Sequence, residues 1–85
     1  MRWEVHVPRR VVRTLLRFPA RDIRRLQEIL GEFARDPWNG DVVKIKGESN
    51  LWRRRVGNYR IFYSPEISTR KVEIKEIERR TSTTY

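Results

Sequence analysis

Trp3, Val5 and Val7 alternate with Arg2, Glu4 and His6, a period of two that predicts a strand with one buried face. Pro8 ends this strand and suits the first turn of a helix. Val11, Val12, Leu15 and Leu16 then recur at helical spacing among Arg9, Arg10, Arg13 and Arg17. Phe18-Pro19 breaks that helix and opens a second, longer one. Its apolar stripe is Ile23, Leu26, Ile29, Leu30 and Phe33, with Arg21, Arg24, Arg25, Glu28, Glu32 and Arg35 largely off it. Asp36-Pro37-Trp38-Asn39-Gly40 is a cluster of turn residues and ends the helix. Two helices with so short a break read as a helical hairpin.

Beyond Gly40 the period returns to two. Val42 to Ile45 reads as a short strand and Gly47 to Asn50 as a loop. Leu51 to Val56 and Tyr59 to Ser64 flank Gly57-Asn58, a two-residue connection of hairpin type. Ser64-Pro65-Glu66 closes the second of these strands. Lys71 to Ile77 is the last, with Val72 and Ile74 on one face. The order β-α-α-(β)-β-β-β predicts an α+β fold in which an N-terminal helical hairpin packs on one face of a small, mostly antiparallel β-sheet. At 85 residues the chain has room for one domain, residues 1–85.

Charge changes the picture. Twenty Lys and Arg stand against eleven Asp and Glu, a net charge of +9, and only Lys44, Lys46, Lys71 and Lys75 of the basic residues are lysine. Arg is suited to planar, bidentate phosphate contact, whereas Lys is a point charge. An Arg-rich small domain points to nucleic acid, ahead of an acidic protein or an anionic membrane surface. Without cysteine, disulfide scaffolds and thiolate metal sites are excluded. No acidic cluster, His pair or Gly-rich loop announces a metal or nucleotide, so no cofactor is expected. The apolar runs are too short to span a membrane, and the expected location is the cytoplasm.

The two-residue turn fixes the pairing of the hairpin. Val56 faces Tyr59, and then Arg55 pairs with Arg60, Arg54 with Ile61, Arg53 with Phe62 and Trp52 with Tyr63. Cross-strand partners share a face. Arg53, Arg55, Arg60 and Phe62 therefore gather on one side, and Trp52, Val56, Tyr59, Ile61 and Tyr63 on the core side. Arg55 opposite Arg60 is unfavourable in an isolated sheet and makes sense beneath a polyanion. Phe62 adds a flat surface on which a base can stack. The competing reading is a solvated face whose guanidinium groups pair with Glu73 and Glu76. Arg54 falls on the core side and is expected to snorkel past its neighbours.

Leu51-Trp52-Arg53-Arg54-Arg55-Val56-Gly57-Asn58-Tyr59-Arg60-Ile61-Phe62-Tyr63 resembles the central hairpin of the RelE/ParE toxin superfamily, the toxin halves of bacterial and archaeal type II toxin–antitoxin pairs. The resemblance extends in element order to the whole chain. It implies a RelE-like mRNA interferase: a ribosome-dependent endoribonuclease that needs no metal, works by 2′-hydroxyl attack and is held in check by an antitoxin protein. The alternative it implies is a ParE-like inhibitor of DNA gyrase without nuclease activity. A bare RNA- or DNA-binding module is a third reading.

By this resemblance Arg53 and Arg55 hold the scissile phosphate, Arg60 stabilises the transition state, and Arg79 and Tyr85 complete the catalytic set. The best-studied members carry Lys where this chain has Arg53 and Arg55; a guanidinium binds phosphate well and is a poor proton acceptor. Lys44, Lys46, Phe62 and Arg80 are the expected further RNA contacts. His6, the single histidine, alternates away from the core positions and faces solvent or a partner. Glu48 reads as a turn carboxylate.

Overall fold

The computed structural model describes residues 2–80. The elements run β1 (Glu4–His6), α1 (Arg9–Leu15), α2 (Ala20–Phe33), β2 (Val42–Lys44), β3 (Trp52–Val56), β4 (Tyr59–Glu66) and β5 (Lys71–Arg79). A proline, Pro8 or Pro19, stands immediately before each helix. The five strands form one sheet in the order β1-β5-β4-β3-β2. The β2–β3, β3–β4 and β4–β5 pairs are antiparallel, and β1 joins β5 in parallel, so the sheet is mixed.

Both helices lie on one face of this sheet. Val11 and Leu15 from α1 and Leu26, Ile29 and Phe33 from α2 close over Val56, Tyr59, Ile61, Tyr63, Val72, Ile74 and Ile77. Leu26, Ile29 and Phe33 are wholly buried, and burial of side chains of this size stabilises by roughly 1.5–3 kcal/mol each. Leu16, expected in the α1 stripe, is instead 64% exposed, because α1 ends at Leu15 and the chain turns towards Pro19. Among the described residues, no helix covers the opposite face of the sheet.

Two irregularities set which side chains reach that open face. β4 runs on through Pro65, which pairs with Val72. β3 has already ended there, and Asn50 Nδ2 donates to the Pro65 carbonyl at 2.8 Å. N–H and C=O of a strand residue point to the same side, so the donor that proline lacks has no ladder partner to lose. The second irregularity is a bulge in β5. Phe62 pairs with Glu76 but Tyr63 pairs with Ile74, leaving Lys75 as the extra residue. The Lys75 carbonyl is taken by Arg10 Nη1 of α1 at 2.7 Å.

Candidate RNA-binding face

The β3–β4 register is Trp52 to Tyr63, Arg53 to Phe62, Arg54 to Ile61, Arg55 to Arg60 and Val56 to Tyr59, as the two-residue turn requires. Gly57 takes φ +57 while Asn58 stays out of the positive region. Positive φ at the first loop residue alone is the pattern of a type II′ turn, whose twist matches that of the paired strands.

Arg53, Arg55, Arg60 and Phe62 therefore share the open face. Two rows of side chains cross it. Val43 of β2, Arg53, Phe62 and Glu76 make one row; Asp41, Arg55, Arg60 and Glu78 make the other. Arg55 is exposed, and its Nε lies 3.8 Å from Asp41 Oδ2. Arg53 and Phe62 are half-buried, and Arg53 Nε is a buried donor with no acceptor among the described residues. The Arg60 guanidinium is held below its ordinary range, first by partial removal from water and then by Arg80, Arg53 and Arg55; Glu78 pulls it the other way. Four guanidinium groups thus crowd one patch, and an anion laid over them relieves the repulsion. Glu73 is engaged elsewhere, 2.8 Å from His6 Nδ1, and Glu76 forms no ion pair among the described residues.

The remaining sequence-derived positions divide. Arg80 belongs to the patch, since its charge acts on Arg60, and its backbone N–H donates to the Asn58 carbonyl. Arg79 does not. It pairs with Tyr59 on the helix-side face, and its Cζ lies 5.9 Å from the Tyr59 ring centroid. The bulge at Lys75 shifts the alternation by one residue and turns Arg79 away from Arg60. Lys44 pairs with Trp52 and so stands on the helix side too, while Lys46 lies in the turn after β2. Tyr85 lies outside the described residues.

Arg54 does not snorkel. It is 7% exposed, with Nη1 donating to the Asn39 carbonyl at 2.8 Å and Nη2 to Glu32 Oε1 at 3.2 Å. Gly40, at φ +91, lies against this guanidinium so closely that a Cβ there would fall 2.5 Å from Arg54 Cζ. The cation thereby ties β3 from behind to α2 and to the turn that carries Asp41. Tyr59, next to Arg60, is similarly anchored: its hydroxyl donates to Asp22 Oδ2 at 2.6 Å, and burial, followed by this bond, raises its pKa. Neither anchor was visible in the sequence, where Glu32 read as a surface charge of an amphipathic helix and nothing set Asp22 apart.

No protein-family model matches the chain. A protein described as a candidate RelE1 toxin of Methanocaldococcus jannaschii is 25% identical over 83 residues, covering 94% of this chain and 92% of its own length. A chain of the archaeal RelE–RelB complex from Pyrococcus horikoshii matches with a TM-score of 0.83 and 27% identity, over 98% of this chain and 100% of that one. The chain is similar to RelE toxins in both sequence and fold. The isolated RelE toxin of E. coli shares the fold of this chain at 13% identity, with a TM-score of 0.78 over 95% of this chain and 87% of that one.

Proposed function

We propose that this RelE-like toxin is a ribosome-dependent endoribonuclease that cleaves mRNA by 2′-hydroxyl attack on the adjacent phosphate. The observation that carries this reading is the cross-strand pair Arg55–Arg60 on an open sheet face. Like charges placed directly opposite destabilise a sheet, and here Arg53 and Arg80 add to them. A phosphodiester over the patch offsets that repulsion and supplies an acceptor for the unpartnered Arg53 Nε. In the transition state, where charge grows on the phosphorane oxygens, the same preorganised donors bind more tightly than in the ground state. Arg53 and Arg55 hold the phosphate, Arg60 stabilises the transition state, and Phe62 stacks a base beside them. Of the C-terminal pair implied by the resemblance, Arg80 takes the place given to Arg79, and Tyr85 brings a phenol from the tail.

The partner is an antitoxin, as in the RelE–RelB complex of P. horikoshii. A surface of net charge +9 suits an acidic, partly disordered chain that folds as it wraps the toxin. The site of action is the cytoplasm, where ribosomes and mRNA are.

Inducing the protein in cells and following transcripts by primer extension, with plasmid supercoiling measured alongside, tests the function. Cuts within translated frames, with supercoiling unchanged, are expected. Intact transcripts with lost supercoiling overturn the nuclease reading in favour of gyrase inhibition.

A further inference from the structure

Transfer of the attacking hydroxyl's proton requires an acceptor, and the arginines do not provide one, since a guanidinium stays protonated. On the open face the register supplies a candidate. Glu78 is the Cα partner of Arg60 and ends the row Asp41, Arg55, Arg60, Glu78. It reaches this face only because the bulge at Lys75 shifts the alternation of β5; without it, Glu78 would point towards the helices. It is half-buried and takes part in none of the ion pairs among the described residues. Among the described residues the other acceptors are worse placed. Asp41 lies beside Arg55 at the far end of the row. Glu76 stands opposite Phe62. His6 is bound to Glu73 on the β1 side of the sheet. A plain cross-strand ion pair would explain Glu78 simply, but no such pair forms with Arg60.

Resting on the endonuclease reading above, we propose that Glu78 is the general base of this site. It takes the proton of the 2′-hydroxyl whose adjacent phosphate lies over Arg55 and Arg60. As that proton passes to a Glu78 carboxylate oxygen, the 2′-oxygen lone pair forms the bond to phosphorus and the phosphorus–5′-oxygen bond breaks. The departing 5′-oxygen takes a proton from water, and the hydroxide left behind recovers the proton from Glu78. The products are a 2′,3′-cyclic phosphate and a 5′-hydroxyl, with no net consumption of water and no change of oxidation state. A carboxylate beside a phosphate opposes RNA binding by charge, so this role moves rate and affinity in opposite directions.

The test is single-turnover cleavage of ribosome-bound mRNA by the purified full chain, with affinity measured in parallel, for wild type, Glu78→Gln and Glu78→Asp. In Glu78→Gln the rate at saturation is expected to fall about 100-fold or more, as for loss of a general base, with affinity equal or tighter. Glu78→Asp keeps the carboxylate and is expected to recover part of the rate. A Gln variant that cuts at the wild-type rate overturns the assignment to Glu78 alone. So does a parallel loss of rate and affinity in both variants. A wild-type protein that leaves the mRNA intact overturns the endonuclease reading and the base with it.

Discussion

Arg60→Ala leaves the protein folded and lowers mRNA cleavage by about 100-fold or more, the loss that follows removal of one preorganised oxyanion donor. Arg60 stands opposite Arg55 and within the field of Arg53 and Arg80, outside the apolar core. Its removal therefore relieves like-charge repulsion and opens no cavity beneath the helices. Stability should hold or rise slightly while the chemical step fails. The combination is diagnostic, because damage to the fold would lower both. Single-turnover cleavage on programmed ribosomes, with a urea melt of the same preparation, separates the two. A folded Arg60→Ala protein that cuts within a few-fold of wild type removes Arg60 from the chemistry.

Arg54→Ala is expected to do the opposite and act through the fold. It leaves the Asn39 carbonyl and the Glu32 carboxylate without their cation and empties the space against Gly40. Breaking a buried ion pair from one side costs about 3–5 kcal/mol. The Glu32 side chain keeps 28% of its exposure and can turn partly to water, which places the loss near the lower end of that range. Small domains are stable by only about 5–15 kcal/mol, so the variant should show a clearly lower urea midpoint. Arg54→Met, which keeps the bulk, should lose less than Ala. A midpoint unchanged in Arg54→Ala would mean that the clamp does not hold β3 to α2.

The parts of the molecule written in local spacing were legible. The two-residue turn at Gly57-Asn58 fixes the whole β3–β4 register, and with it the company of Arg53, Arg55, Arg60 and Phe62. The helix stripes name the core residues of α2, since a 3.6-residue period leaves little freedom in which face is buried. What local spacing does not carry depends on long-range geometry. Alternation continued from Val72 and Ile74 would put Arg79 on the open face; one bulged residue, Lys75, turns it to the helix side and brings Glu78 and Arg80 round instead. A bulge is read from the partner strand's hydrogen bonds, and no turn residue marks it. The parallel union of β1 with β5 joins the two ends of the chain, and nothing within either segment encodes it. Arg54 illustrates the same limit: the period gave its face, but Glu32 and the Asn39 carbonyl meet it only in the folded state.

The most direct test of the open arginine face as the RNA face is affinity for ribosome-bound mRNA measured over a series of salt concentrations. If the patch grips phosphates, the log–log slope of affinity against salt is about −0.7 per phosphate neutralised on a single strand. Arg53→Ala and Arg55→Ala should each make it shallower by roughly one contact and weaken all sequences alike. Phe62→Ala, which removes a stacking surface worth about 1–3 kcal/mol, should weaken binding with the slope nearly unchanged. Arginine variants that keep the wild-type slope would contradict the assignment and place the RNA on another surface.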